Sequence, residues 1–321
     1  MKPKFYPLQF NPILKERIWG GNKLKTFLNK PIQSNITGES WEISTIKNDV
    51  SIISNGIFKG KSLEELINLY PEEVLGSSVY KNFGNQFPLL FKYLDAREDL
   101  SIQLHPNDEL ARKRHNSFGK TEMWYVMQAD VNARLIVGFK EKSNKEAYLK
   151  SIEEKKILTI LDSKPVKKGD VFFLETGTIH AIGAGIIIAE IQQTSDITYR
   201  VYDFDRVDAN GNKRELHNDL ALEALNYEVV SSEIKYKKIE NQVNEVVYCK
   251  YFKTNFIQLT NVVNFKSNNE SFKVLMCVEG SFNFNLDNQV YNYKMGDTLL
   301  IPACINSYKL DGNASLLEIY I

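Results

Sequence analysis

Short runs of apolar residues, separated by glycine, asparagine and charged residues, recur along most of the chain. Examples are residues 87–94, 134–139, 171–174 and 272–278. Many short strands with turn residues between them are typical of β-sandwiches and β-barrels. The pattern therefore predicts a mainly β protein.

Helical patterns interrupt the strands at about residues 62–76, 144–161 and 217–226. The first begins with the S-x-x-E form of a capping box at Ser62, and Pro71 is expected to kink or split it. The second carries Glu and Lys residues four apart along its polar face. Because these segments lie between groups of strands, we expect them to be insertions on a β scaffold.

A Gly-Asp turn followed by apolar residues occurs twice, at residues 169–174 and 296–301. Such turns resemble those of cupin jelly rolls. We therefore predict two cupin-like jelly rolls with a few inserted helices, one in residues 1–235 and one in residues 236–321. The charged stretch 232–244 is expected to be a linker or a surface crossing between them.

The two turns are followed by different residues at the position where a metal-binding cupin places a histidine. After the first turn, Gly177-Thr178-Ile179-His180 has the G-x-x-H form, whereas the same offset after the second turn holds Ser307. We therefore expect metal only in the first jelly roll.

Composition narrows the classes of partner. The 321 residues contain 40 Lys+Arg and 40 Asp+Glu, so the net charge of zero supports neither a nucleic-acid nor an anionic-membrane partner. There is no apolar run of about 18 residues and no secretory leader pattern. Three cysteines without C-x-x-C spacing fit buried thiols in a reducing compartment, so a cytoplasmic protein is expected.

Four residues of suitable type form a candidate metal-ligand set: Gln103, His105, Glu122 and His180. Strand alternation places Gln103 and His105 on one face together with Ser101. Each residue alone also fits a plainer role, as a polar strand face, a surface Lys-Glu pair with Lys120, or a core histidine. Together they offer a mixed oxygen and nitrogen shell that suits zinc or another divalent first-row ion.

A candidate anion-binding residue lies farther along the chain. Glu190 occupies a predicted strand, and Arg200 follows in a second β-like run. An arginine that points into a cleft binds phosphate or a developing oxyanion well. The alternative is a surface arginine paired with Asp203 or Asp205.

Several motifs in the same order resemble those of type I mannose-6-phosphate isomerases, in the short bacterial form of this cupin family. The resemblance covers most of residues 5–220 and, more loosely, the C-terminal part. The motifs are residues 15–21, 38–44, 87–95, 100–108, 119–125, 177–183 and 198–203. The long helical domain of the larger family members has no counterpart here, which leaves the shielding of the pocket and the oligomer contacts open.

The resemblance implies one Zn²⁺ per chain on Gln103, His105, Glu122 and His180. It also implies a catalytic role for Arg200 and a substrate pocket lined by Ser101, Lys120 and Glu190. The implied reaction interconverts mannose 6-phosphate and fructose 6-phosphate by proton transfer through a cis-enediol. We expect a small-molecule sugar phosphate as the ligand, no nucleic-acid or membrane partner, and a monomer or weak homo-oligomer.

The resemblance leaves the general base open between a zinc-bound water, Glu190 and Lys120. Lys120 and Ser101 could instead hold the phosphate. Two other functions also stay open. One is that of another cupin enzyme, such as a cupin-type phosphoglucose isomerase or a metal-dependent dioxygenase. The other is a non-catalytic sugar-binding role.

Overall fold

Antiparallel strands dominate the computed structural model, which describes residues 3–208 and 210–321. Its strands are β1 (Ile13–Gly21), β2 (Thr37–Ile43), β3 (Thr45–Ile46), β4 (Asp49–Val50), β5 (Leu89–Ala96), β6 (Ile102–Leu104), β7 (Glu122–Ala129), β8 (Arg134–Phe139), β9 (Leu161–Pro165), β10 (Val171–Leu174), β11 (His180–Ile182), β12 (Ile186–Gln193), β13 (Tyr199–Tyr202), β14 (Glu233–Ile234), β15 (Val243–Tyr248), β16 (Lys253–Leu259), β17 (Val263–Lys266), β18 (Lys273–Leu286), β19 (Gln289–Lys294), β20 (Thr298–Ile301) and β21 (Ser307–Tyr320). The prediction of a mainly β fold is confirmed.

The helices are short and lie between strand groups, as predicted. They are α1 (Lys23–Thr26), α2 (Leu63–Leu69), α3 (Pro71–Leu75), α4 (Ser77–Phe83), α5 (Asp108–His115), α6 (Lys145–Glu153), α7 (Ile157–Ile160) and α8 (Asn218–Ala224). No helix within the described ranges 3–208 and 210–321 has the length and apolar character needed to cross a lipid bilayer.

Local signals in the sequence indicated α2, α3, α6, α7 and α8, whereas α1, α4 and α5 were not predicted. Ser62 and Glu65 form the predicted capping box at the start of α2, and Pro71 splits the helix and begins α3. His217 caps α8. The predicted helix over 144–161 was too long, because Lys155 adopts a φ of 56° and breaks it into α6 and α7.

Three main sheets build the molecule. The middle sheet has the order β1-β2-β5-β12-β7-β10-β14, and the outer sheet has the order β13-β6-β11-β8-β9. The C-terminal sheet has the order β15-β16-β21-β18-β19, with β17 paired to β21 and β20 paired to β18.

The middle sheet is covered on both faces. Along β7, Trp124 and Val126 pack towards the outer sheet, whereas Met123 and Tyr125 belong to a core shared with the C-terminal sheet. Tyr125 stacks on Phe256 of β16 with ring centroids 6.2 Å apart. Burial on both faces explains why β5 and β12 are apolar nearly throughout, with every residue buried.

The outer sheet uses its two faces differently. One face packs on α6 to α8, with Ile102, Leu104 and Tyr148 in the same apolar cluster. The other face looks towards the middle sheet and carries Val137 and Ile182. The space between the middle and outer sheets is therefore the interior of the first jelly roll, and the candidate ligands lie there.

Some strand predictions need correction. The stretch 232–244 is not only a linker, since β14 pairs with Val171 and Phe172 at the edge of the middle sheet. From its second residue, the apolar run 272–278 is part of a longer strand, β18 (Lys273–Leu286), which continues through a bulge and through Gly280 at a φ of 74°. The domain boundary near residue 235 remains a prediction.

Candidate active site and metal centre

Register brings polar side chains of the outer sheet into one row. Gln103 pairs with His180 on one side and with Arg200 on the other, and His180 pairs with Val137. Directly paired residues point to the same face of a sheet. Arg200, Gln103 and His180 therefore all face the middle sheet.

The middle sheet carries a second row of polar residues, on its face towards the outer sheet. Glu190 on β12 pairs with Lys92 on β5 and with Trp124 on β7, and Lys92 in turn pairs with Trp41. Glu122 lies next to this row, opposite Gln192. The interior face of the jelly roll is thus polar at one end and apolar at the other.

A cavity of about 550 Å³ opens between the two rows. Its lining combines basic, acidic and aromatic side chains: Lys15, Arg17, Trp19, Glu39, Trp41, Asp49, Lys92, Leu94, Leu100, Ser101, Gln103, Lys120, Glu190, Asp196, Thr198, Arg200 and Arg214. Basic residues outnumber acidic ones by six to four, which suits an anionic ligand. Leu100, which precedes β6, also lines the cavity.

His105, Glu122 and His180 meet beneath this cavity. One ligand atom from each residue lies within 4.8 Å of the other two, and all three residues are buried. Glu122 Oε1 is 3.3 Å from His180 Nε2, and Glu122 Oε2 is 3.5 Å from His105 Nε2. Of the predicted metal ligands, these three form a group that could hold a metal ion.

Both histidines bond the backbone through Nδ1, which leaves Nε2 to face Glu122 and, in His105, also Lys120. His105 Nδ1 donates to the Ile197 carbonyl at 2.8 Å, and His180 Nδ1 donates to the Thr178 carbonyl at 2.9 Å. Because a carbonyl only accepts, each Nδ1 carries the proton. Burial and the nearby Lys120 ammonium lower the pKa of His105 well below its usual range and that of His180 to about 4. Both imidazoles are therefore neutral near pH 7, as metal ligation requires.

The acceptor atoms of His105, Glu122 and His180 lie close to one another, with the Lys120 ammonium beside two of them. His180 Nε2 and Glu122 Oε1 are buried and lack a hydrogen-bond partner among the described residues. Lys120 Nζ lies 2.9 Å from His105 Nε2 and 2.8 Å from Glu122 Oε2. Facing lone pairs repel one another unless a positive charge lies between them. The donor set and its geometry therefore fit a divalent metal ion.

The Ser101 hydroxyl connects the Gln103 side chain to Arg200, the candidate catalytic arginine, by hydrogen bonds. The Ser101 hydroxyl lies 3.4 Å from Gln103 Oε1 and accepts from Arg200 Nε at 3.3 Å. Arg200 Nη1 donates to the Glu215 carbonyl at 3.0 Å. Both hydrogen-bond acceptors of Arg200 are neutral, so the expected alternative of pairing with Asp203 is not seen. Arg206 makes that pair instead, at 2.6 Å.

Glu190 is fixed by its neighbours. Trp124 Nε1 donates to Glu190 Oε1 at 2.9 Å, and Lys92 Nζ lies 3.1 Å from Glu190 Oε2. Burial alone would raise the pKa of Glu190, but Lys92 and Lys120 outweigh it and lower the pKa. For Glu122 the balance is opposite, because burial raises the pKa, Lys120 opposes the rise and Glu190 adds to it.

All residues proposed from the sequence thus lie in or directly beneath one cavity. Sequence reasoning gave no role to Lys92, Arg17 or Arg214, which also line it. Lys92 had a usable signal: a lysine inside the apolar run Leu89–Ala96 is unusual, because a fully buried lysine needs a charged partner. Arg214 had none, since it lies outside the strands.

A hydrogen-bond hub at Asp108 supports the loops that carry Lys120 and His105. Asp108 Oδ1 accepts from the Gly119 amide and from Gln193 Nε2, both at 3.0 Å. Gln193 Oε1 accepts from the Thr121 amide at 2.9 Å. The segments approach so closely that a Cβ on Gly119 would lie 2.7 Å from the Asp108 nitrogen.

The C-terminal jelly roll reaches this hub through Tyr251, whose hydroxyl donates to Asp108 Oδ2 at 2.9 Å. We expect Tyr251→Phe to lower the free energy of unfolding by about 1.5–3 kcal/mol, because the bond ends on a charged acceptor. Amide hydrogen exchange at Gly119 and Thr121 should also become faster. Chemical unfolding and exchange measured by mass spectrometry check both effects.

Tyr248→Phe is the matched control. Its hydroxyl bonds Asn255 and Tyr320 within the same jelly roll, away from the hub. Faster exchange at Gly119 in the control, or no change in the Tyr251 variant, would contradict the assigned link.

Comparison with known proteins agrees with this arrangement over nearly the whole chain. A model of the type I phosphomannose isomerase catalytic domain matches residues 8–130, and a model of the mannose-6-phosphate isomerase cupin domain matches residues 242–321. The chain is 37% identical to mannose-6-phosphate isomerase ManA of Bacillus subtilis (strain 168), over 97% of this chain and 98% of that protein.

A second relative, mannose-6-phosphate isomerase of Streptococcus mutans, is 36% identical over 97% of each chain. The crystal structure of the mannose 6-phosphate isomerase from Bacillus subtilis superposes with a TM-score of 0.90 at 33% identity, covering 98% of this chain and 99% of that one. Full-length similarity in sequence and in fold shows that this chain belongs to the cupin-type, type I mannose-6-phosphate isomerase family.

Proposed function

We propose that this protein is a zinc-dependent mannose-6-phosphate isomerase that interconverts mannose 6-phosphate and fructose 6-phosphate through a cis-enediol. The observation that carries the proposal is the convergence of His105, Glu122 and His180 beneath a basic cavity. The full-length similarity to isomerases of this activity supports it.

His105, Glu122, His180 and Gln103 would hold the zinc ion. Gln103 is included because its register with His180 places both side chains on one face of the outer sheet. Bound there, a divalent ion would act as a Lewis acid on the oxygens of C1 and C2 of the sugar. The second-sphere bonds from the histidine Nδ1 atoms to Ile197 and Thr178 would orient the rings.

The chain's own residues would perform the proton transfer. The proton on C2 of mannose 6-phosphate moves to C1, and the hydroxyl proton on O2 moves to O1. We assign the first transfer to Lys120, which lies within 2.9 Å of the candidate ligand His105 and lines the cavity. Glu190, held by Trp124 and Lys92, would supply a fixed negative charge beside it.

Lys120 must enter the reaction as a neutral amine. Burial by itself would lower its pKa, but Glu122 and Glu190 outweigh this effect and the pKa is raised. The Glu122 carboxylate raises the pKa of Lys120 most. A metal ion bound to Glu122 would offset the charge of this carboxylate and so favour the neutral amine of Lys120. Arg200 would stabilise the charge that develops on the sugar oxygens.

The experiment that tests the reaction is an isomerase assay with mannose 6-phosphate and glucose 6-phosphate side by side. Turnover of mannose 6-phosphate that stops after chelation and returns with Zn²⁺ is expected. Turnover of glucose 6-phosphate alone would favour the other cupin isomerase class. No turnover of either, with binding retained, would favour a sugar-binding protein.

His105→Ala should lose bound metal and activity together, because it removes a nitrogen ligand. Metal analysis of the purified protein measures the content. His115→Ala is the control, since His115 ends α5 and bonds Tyr199 rather than the metal group. Stoichiometric zinc in the His105 variant would remove His105 from the ligand shell.

Arg200→Ala should lower kcat by about 100- to 1,000-fold, the usual loss for one donor to a developing oxyanion. Metal content should stay at that of the wild type, because the Arg200 side chain bonds Ser101 and the Glu215 carbonyl and no side chain of a proposed ligand. Steady-state kinetics with metal analysis checks both. A near-normal kcat would refute the role of Arg200.

A further inference from the structure

We propose that Arg214 holds the phosphate group of the substrate, assisted by Arg17, and that Asp203 is the positioning residue that fixes Arg214. The inference rests on the proposed function for the identity of the ligand, a hexose 6-phosphate. It assigns the residues that hold the phosphate, a role that the family resemblance left open.

Asp203 clamps Arg214 in one orientation. The carboxylate is buried and accepts from both Nε and Nη2 of Arg214, with the Nε contact at 2.7 Å. Arg206 Nη2 donates to the same carboxylate at 2.6 Å. Arg214 Nη1 has no hydrogen-bond partner in residues 3–208 and 210–321, and the side chain lines the cavity. A planar guanidinium held on one edge presents its other edge to a ligand.

The arginines around Asp203 carry more positive charge than this one carboxylate neutralises. Asp203 serves two guanidinium groups, those of Arg206 and Arg214, and the nearby Arg200 bonds only neutral acceptors. Arg200 Nη1 donates to the carbonyl of Glu215, the residue that follows Arg214, and both arginines line the cavity. Burial, and after it the charge of Arg214, lowers the pKa of Arg200. A phosphate monoester carries a charge of about −1.5 to −2 near pH 7 and would balance this excess.

Other basic residues of the lining are already paired. Lys15 forms an ion pair with Asp49, and Lys92 forms one with Glu190. Arg17 donates through Nε to Glu39 at 2.7 Å and through Nη1 to the Glu16 carbonyl at 3.0 Å. Its Nη2 has no partner among the described residues, so Arg17 can give one further bond.

A chain of contacts runs from the metal group to the residue next to Arg214, in the order in which the substrate carries its reacting carbons and its phosphate. From the metal group, contacts lead from Gln103 through Ser101 to Arg200, and Arg200 Nη1 donates at 3.0 Å to the carbonyl of Glu215, the residue that follows Arg214. In a hexose 6-phosphate, the reacting C1 and C2 are at one end of the carbon chain and the phosphate is at the other. Arg200 then faces the reacting oxygens, and Arg214 faces the phosphate.

Arg214→Met tests the assignment. It should raise KM for mannose 6-phosphate by about 10- to 100-fold, the range expected for loss of charge-assisted hydrogen bonds. The value of kcat should change only a few-fold, because Arg214 does not face the reacting carbons. The KM of Arg214→Lys should lie between those of Arg214→Met and the wild type, since lysine keeps the positive charge but lacks the planar guanidinium group.

Lys213→Met is the matched control. Lys213 precedes Arg214 in the chain and carries the same charge, but it is exposed and pairs with Asp205. Asp203→Asn keeps Arg214 and removes half of its clamp, so its KM should rise in the same direction as in Arg214→Met. An unchanged KM in Arg214→Met, or an equal rise in Lys213→Met, would overturn the assignment.

Calorimetric titration with inorganic phosphate separates this inference from the proposed function. Phosphate binding by the metal-loaded wild type that weakens at least tenfold in Arg214→Met and not in Lys213→Met supports the subsite, even if the isomerase assay fails. Equal phosphate affinity in all three proteins overturns the subsite, even if the isomerase assay succeeds. Circular dichroism of each variant verifies that it folds.

Discussion

The burial of charged groups between the middle and outer sheets is the constraint on which the rest of the structure depends. Glu122 and Glu190 are exposed by 0% and 3%, and Lys120 and Lys92 by 4% and 6%. Taking such ions out of water costs several kcal/mol each, and removing one partner leaves the other uncompensated. The sheets therefore have to bring these groups together in one register. Since register sets which face a side chain occupies, a slip of one residue in β7 or β12 would turn Glu122 or Glu190 towards the apolar core.

The same constraint explains why the two faces of the middle sheet differ in polarity. Its face towards the C-terminal sheet is apolar and contributes Tyr125, Met123 and Ile191 to the shared core. Its other face is apolar only at one end, around Val126 and Ile188, and polar at the other. The apolar burial on both sides holds the strands rigidly enough for the polar end to keep its geometry. Rigid supporting elements are what a preorganised site requires.

The parts of the site that the sequence could predict are those that follow from local spacing. Alternation along 101–105 and the G-x-x-H motif at 177–180 placed Gln103, His105 and His180 correctly near one another. The capping box at Ser62 and the helix start at His217 are local in the same sense. The charged partner of Lys92 could not be predicted from local spacing. Glu190 is distant from Lys92 in the sequence and becomes its neighbour only through the β5–β12 register. Arg214 depends on a loop that folds back so that Val207 bridges Lys213.

The two jelly rolls are then unequal in chemistry but joined in structure. Ser307 takes the place of the cupin histidine in the second roll and is exposed at the start of β21, whereas His180 is buried at the start of β11. The second roll contributes the apolar cover of the middle sheet and the hydroxyl of Tyr251 on Asp108. Asp108 holds Gly119, and Gly119 directly precedes Lys120, so the orientation of Lys120 depends on both rolls. A jelly roll without the histidine therefore supports the geometry of the other roll's site, because the two share one core and one hydrogen-bond network.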